Sequence, residues 1–149
     1  MALIERINDD LKTAMKGGDR PRVEVLRFTL ASLNAALKEK ILKDPKAVLT
    51  DEEVVTVLQK ETKKRRDAIE LFRQGKRDDL VRKEEGDLEM LYQYLPKQLS
   101  REEIIAMVNA AKKDGAKDFS SIMKEVMRAA KGRTDGKTVG DVIRDVERT

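Results

Sequence analysis

No cysteine, histidine or tryptophan occurs among the 149 residues. Those absences exclude disulfides, thiolate metal centres, imidazole bases and a cysteine nucleophile, and with them most familiar catalytic constellations. Metal binding is left to carboxylates alone. The adjacent acids Glu52-Glu53 and Glu102-Glu103 stand where helices begin, and the helix dipole already accounts for them there. No tightly held metal and no cofactor is expected. Aromatics make up 3% of the chain, leaving few platforms for stacking unpaired bases. No apolar run approaches the length of a membrane span. The start, Met1-Ala-Leu-Ile-Glu-Arg-Ile, is charged within one helical turn, unlike a secretory signal. These features predict a soluble, cytoplasmic protein.

What the chain has in abundance is charge, 40% of its residues, with a formal net charge of +4. Strand-like alternation is nearly absent, so the balance favours long amphipathic helices and an all-α fold. Residues 1 to 95 hold 20 Lys/Arg against 19 Asp/Glu, and residues 96 to 149 hold 12 against 9. The basic excess is therefore mainly C-terminal, a mild bias toward a polyanionic partner that decides nothing alone.

Leu3, Ile4, Ile7, Leu11 and Met15 share one face of a first helix that stops at Gly17-Gly18. Pro21 suits the first turn of a second helix, along which Val23, Leu26, Leu30, Leu33, Leu37 and Ile41 step by three or four before Asp44-Pro45 ends it. Thr50-Asp-Glu-Glu53 is a capping box that opens a third helix running to about Gln74. Between Leu58 and Ala68 this helix carries no apolar side chain, so it is expected to project from its core there. A fourth helix from about Arg77 buries Leu80, Val81, Leu88, Leu91 and Leu95, tolerates Gly86 at a cost of about 1 kcal/mol, and closes at Pro96.

A second capping box, Ser100-Arg-Glu-Glu103, follows that proline at once, which places a domain border there. The expected organisation is an N-terminal domain of about four helices over residues 1 to 95 and a small three-helix domain over 96 to 149. In the latter, Ile104, Ile105, Met107 and Val108 mark helix five and Ile122, Met123, Val126 and Met127 helix six. Val139, Val142, Ile143 and Val146 mark the last helix. Met107, Met123 and Met127 read as core filler. Tyr92 and Tyr94, near the border, are expected to anchor the two halves with their phenol oxygens outward.

The segment joining the last two helices, Lys131-Gly132-Arg133-Thr-Asp135-Gly136-Lys137, is a glycine-bracketed basic elbow. Its glycines free the backbone for a tight connection, and a helix start just beyond it favours an anion such as phosphate. Lys124 and Arg128 lead into it along the preceding helix.

Three blocks, Leu58-Gln-Lys-Glu-Thr-Lys-Lys-Arg-Arg-Asp-Ala-Ile69, Tyr94-Leu-Pro-Lys-Gln-Leu99 and Val126-Met-Arg-Ala-Ala-Lys-Gly-Arg-Thr-Asp-Gly136, together resemble the YqeY proteins over the full length. The C-terminal part of that family is similar to the tail domain of the B subunit of glutamine-dependent aspartyl/glutamyl-tRNA amidotransferase. The resemblance implies two all-helical domains and a link to tRNA-dependent amidation, a carbon-nitrogen ligase reaction with glutamine as nitrogen donor. By this resemblance the tail is similar to a tRNA-gripping arm, while ammonia release and carboxylate activation belong to other parts of those complexes. The chain departs from the family where a glycine is usual, with Lys124 one residue before Glu125 and with Ser120.

The resulting nucleic-acid site is Lys124, Arg128, Lys131, Arg133 and Lys137, contacting phosphates. The alternative is a helix C-terminus decorated with cations that complement its dipole. Lys60, Lys63, Lys64, Arg65 and Arg66 form a second basic run, read either as an RNA-facing patch or as a solvated helix knitted by Glu61, Asp67 and Glu70. Catalytic use of Glu52-Glu53, Glu84-Glu85 or Glu102-Glu103 is disfavoured, because neighbours on a helix diverge by about 100°. Ser100, Ser120 and Ser121 lack a histidine partner. The expected role is a non-catalytic tRNA-binding accessory protein. The alternative is a module that docks on an aminoacyl-tRNA synthetase or an amidotransferase subunit.

Overall fold

The computed structural model describes residues 1–148, and among them every regular element is an α-helix. The all-α expectation is met. The chain divides into two compact units, Met1–Leu95 and the residues from Pro96 onward.

In the first unit, α1 (Leu3–Gly17) and α2 (Arg20–Lys43) meet at Gly18, whose φ of +70° is a left-handed conformation that glycine adopts at little cost. The Asp19 amide donates to the Ala14 carbonyl at 3.0 Å to close α1. The Asp19 carboxylate then accepts the Arg22 amide to open α2, with Pro21 in its first turn. Helix α3 (Asp51–Gln74) starts on the predicted capping box, Thr50 and Glu53 each accepting the other's amide at 3.0 to 3.1 Å. Lys40 ties that box to α2 by donating to both Glu53 and the Val48 carbonyl. Asp51 also accepts the Leu3 amide, so the α3 start caps α1, which lacks a capping side chain of its own. Helix α4 (Asp78–Tyr92) completes the unit. Ile7, Val25, Leu26, Leu33, Val54, Leu58 and Leu91 fill the core.

Three expectations for this unit need correction. Met15 and Ile41 lie in the last turns of α1 and α2 and are 52% and 37% exposed. On α2 the core takes residues only from Val25 to Leu37, so the apolar stripe outruns the surface it packs on.

The polar stretch of α3 does not project. Glu61 and Thr62 are buried, and Glu61 accepts a hydrogen bond from the Ser32 hydroxyl of α2 at 2.8 Å. Arg65 donates to Glu84 and Asp87 of α4, each at 3.0 Å. Polar side chains are buried here because hydrogen bonds satisfy them: Glu61 and Arg65 bond to neighbouring helices, and the Thr62 hydroxyl donates to the Gln59 carbonyl of α3 at 2.9 Å.

The tyrosine phenols point inward. Tyr94, 4% exposed, donates its hydroxyl to Asp10 on α1, and the Tyr92 hydroxyl accepts from Arg66 at 2.7 Å. Burial, reinforced by the Asp10 carboxylate, pushes the Tyr94 phenol up to about 12.

In the second unit α5 (Arg101–Lys113), α6 (Phe119–Ala130) and α7 (Gly136–Arg148) pack as a trio around Ile104, Val108, Ile122, Val126, Val139 and Ile143. Met107, Met123 and Met127 pack against this core from its edge. The second capping box is formed: Ser100 and Glu103 exchange amide hydrogen bonds at 3.2 to 3.3 Å, holding the Glu103 carboxyl below its usual range. Asp118 caps α6 by accepting the Ser121 amide at 2.7 Å, which likewise lowers its pKa.

Candidate nucleic-acid interface

A rotation of about 100° per residue brings positions 124, 128 and 131 onto one side of α6 and its cap. Their side chains are exposed there because the opposite face, Ile122, Val126 and Ala130, is consumed by the core. Lys124 and Lys131 have no hydrogen-bonding or ion-pair partner among the described residues. Arg128 pairs, among the described residues, only with Glu125 in its own helix, at 2.7 Å with 76% of its side chain exposed. An ion pair that exposed contributes little and yields readily to a stronger anion.

The elbow turns through two successive residues of positive φ, Lys131 at +48° and Gly132 at +83°. Gly132 adopts this freely, whereas Lys131 pays about 1 kcal/mol for the left-handed conformation. The result stops α6 and lets the Arg133 amide close on the Ala130 carbonyl at 3.0 Å.

Arg133 serves a different purpose from its neighbours. Its Nε donates to the Lys97 carbonyl at 2.9 Å, its own carbonyl accepts the Leu99 amide at 2.8 Å, and its guanidinium approaches Glu103 at 3.5 Å. The residue clamps the 97–99 segment to the elbow, and its charge is partly balanced by Glu103.

The start of α7, expected to attract an outside anion, already holds the protein's own carboxylate. Asp135 accepts the Thr138 amide at 2.9 Å and the Thr138 hydroxyl at 3.0 Å. Lys137 lies exposed in the first turn just beyond it. Of the five residues singled out in the sequence, Lys124, Arg128 and Lys131 therefore share one outward stripe, Arg133 is engaged with its own unit, and Lys137 stands on the next helix.

Beside the stripe runs an open groove with α6 as one wall, through Ser121, Lys124, Glu125 and Arg128. The end of α5 and the turn after it, through Ala111, Asp114 and Ala116, form the other wall. Lys112, Lys113 and Lys117 border that second wall in sequence. They lie outside the elbow, although the sequence shows four cations within the short interval from Lys112 to Lys124.

The run on α3 separates into two groups. Arg65 and Arg66 turn to α4 and serve the fold, while Lys60, Lys63 and Lys64 are exposed. Arg65 also sits 5.8 Å from the Phe28 ring centroid, and its Nε is buried without a hydrogen-bond partner among the described residues. Asp87 beside it has a raised pKa because burial disfavours its charge more than Arg65 and Lys83 restore it.

The carboxylate pairs each have structural employment. Glu53 and Glu103 cap helices, Glu84 meets Arg65 and Glu85 meets Arg73. No group of three or more Asp or Glu able to hold a metal occurs among the described residues. No helix among them is long and apolar enough to cross a membrane.

The fold and this surface define an all-helical protein with a small basic C-terminal trio. The chain belongs to the YqeY family: the family model described as Yqey-like protein matches residues 4–146. It is 31% identical over 136 residues to altered inheritance of mitochondria protein 41 of Pyrenophora tritici-repentis, covering 87% of this chain and 72% of that one. An uncharacterized protein of Schizosaccharomyces pombe is 37% identical over 94 residues, 63% of this chain and 72% of its own.

Proposed function

We propose that the protein binds tRNA through its C-terminal trio and serves tRNA-dependent amidation as an accessory chain, positioning RNA while partner subunits supply the carbon-nitrogen ligase chemistry. The observation that carries this reading is the outward stripe of Lys124, Arg128 and Lys131, all exposed, with Arg128 paired to Glu125 of its own helix and the two lysines without a partner among the described residues. Such a stripe neutralises phosphates without reading bases. That suits an A-form stem, whose deep groove offers side chains little sequence information. The site of action on this reading is the cytoplasm; the name of the Pyrenophora relative ties that protein to mitochondria.

A mobility-shift or anisotropy titration with purified tRNA over a salt series tests the proposal. About four engaged cations give a log-log slope of roughly −3. Charge reversal at Lys124 and Arg128 should flatten it, and no retardation in dilute buffer would end the proposal.

A second reading, docking on an aminoacyl-tRNA synthetase or amidotransferase subunit, draws on exposed apolar side chains at the end of α2 and in the turn after it. Leu42 is 88% exposed and Val48 71%. Recovery of such an enzyme on the protein after nuclease treatment and high salt would favour docking over RNA binding.

A further inference from the structure

The basic surface does not end at α6. Between Lys112 and Lys131 six cations, Lys112, Lys113, Lys117, Lys124, Arg128 and Lys131, stand against three acids, Asp114, Asp118 and Glu125. Two of those acids are engaged locally, Asp118 capping α6 at Ser121 and Glu125 pairing with Arg128. Lys113 and Lys117 are exposed and Lys112 half-buried, and none has a carboxylate partner among the described residues. The open groove is walled by Ala111, Asp114 and Ala116, the sequence neighbours of these lysines, and by Ser121, Lys124, Glu125 and Arg128 of α6.

Resting on the RNA-binding reading above, we propose that the phosphate-contacting surface runs along this groove, with Lys112, Lys113 and Lys117 on the α5 side and Lys124, Arg128 and Lys131 on the α6 side. The path leads away from Arg133 and Lys137. The ligand is a ribose-phosphate backbone taken by charge and shape. The apolar part of the groove wall is Ala111 and Ala116, too small to be a stacking platform for bases.

An anionic lipid surface would use the same cations but needs a broad apolar face beside them to enter the bilayer. Here the apolar face of α6 is spent on the core. The ring of Phe119 lies instead beside Arg144, whose guanidinium carbon is 5.1 Å from its centroid.

The test compares three full-length proteins: wild type, K112Q/K113Q/K117Q and K124Q/R128Q/K131Q. Each is checked for unchanged helicity and melting, then titrated with purified tRNA across a salt series. Six engaged cations, rather than four, steepen the wild-type slope to about −4 to −5, and removal of three lowers it by about two to three, so both triple variants should bind tRNA more weakly and with flatter slopes. If the α6 variant weakens binding while K112Q/K113Q/K117Q matches wild type, RNA binding stands and the extended path is wrong. If wild type does not bind tRNA, the underlying reading fails instead. Tighter binding to phosphatidylserine vesicles than to tRNA at equal salt would overturn the assignment of the ligand.

Discussion

The Arg133 guanidinium donates from Nε to the Lys97 carbonyl oxygen, 2.9 Å away, linking the elbow after α6 to the segment ahead of α5. With the Leu99 amide on the Arg133 carbonyl, two hydrogen bonds join the same stretches, and only one depends on the side chain. Arg133→Gln should therefore lower stability by about 1 to 2 kcal/mol, toward the low end for a hydrogen bond made by a charged donor because the side chain is 36% exposed. Lys124→Gln should leave stability within about 0.5 kcal/mol. Urea unfolding of both variants checks the distinction, and equal stability would show that Arg133 is no clamp.

Arg65 faces two carboxylates, Glu84 and Asp87, with only 14%, 20% and 8% of the three side chains exposed. Arg65→Ala would strand both acids in a poorly solvated place and should cost about 3 kcal/mol or more. The burial that already raises the Asp87 pKa would then act without its main counter-charge. In the Arg65→Ala background, Asp87→Asn should recover part of the loss, because it removes a charge that no longer has its partner. A double-mutant cycle by chemical denaturation measures this, and additive losses would mean the two residues do not interact.

How much of this could be read from residue order follows from the range of each interaction. Both capping boxes were legible because Thr50 with Glu53, and Ser100 with Glu103, satisfy each other within one helical turn. Burial of Glu61 and Arg65 was not legible, since it depends on Ser32 of α2 and on Glu84 and Asp87 of α4, all distant in sequence. The same limit hid the clamp at Arg133, whose partner Lys97 lies 36 residues earlier. The turn after α3 shows another: Gly75 keeps a φ of −81°, and Lys76 takes the left-handed conformation at +56°. Of the basic surface, a stripe on one helix was visible from spacing, while the groove needed the placement of α5 against α6.

The Tyr94 hydroxyl, buried and donating to Asp10, keeps its proton up to about pH 12, against about 10 for a solvated tyrosine. With the folded pKa raised, this stabilisation is complete below pH 10. Between pH 10 and 12 the unfolded chain loses the proton while the folded one holds it, and stability falls by about 2 to 3 kcal/mol. Tyr94→Phe should be less stable than wild type at pH 8, where the Asp10 acceptor loses its donor. The gap should narrow or reverse toward pH 12. Denaturant melts at stepped alkaline pH measure it, and a constant gap across that range would contradict the assigned proton. Tyrosinate absorbance on wild type should show the Tyr94 phenol titrating late.

Glu125 sits in the wall of the groove and holds Arg128 at 2.7 Å within α6. Against a phosphate backbone this carboxylate acts twice, repelling the ligand and competing for the cation. Glu125→Gln keeps the side-chain length and helix propensity while removing the charge. It should tighten tRNA binding about threefold in low salt and steepen the salt slope by up to about one, as Arg128 becomes a full phosphate contact. Stability should change by no more than about 0.5 kcal/mol, because an exposed pair one turn apart contributes little. Anisotropy titrations of wild type and variant in the same salt series give both quantities. Because removing a repelling charge strengthens binding only if the polyanion lies close by, an unaltered affinity and slope would place the RNA away from this wall of the groove.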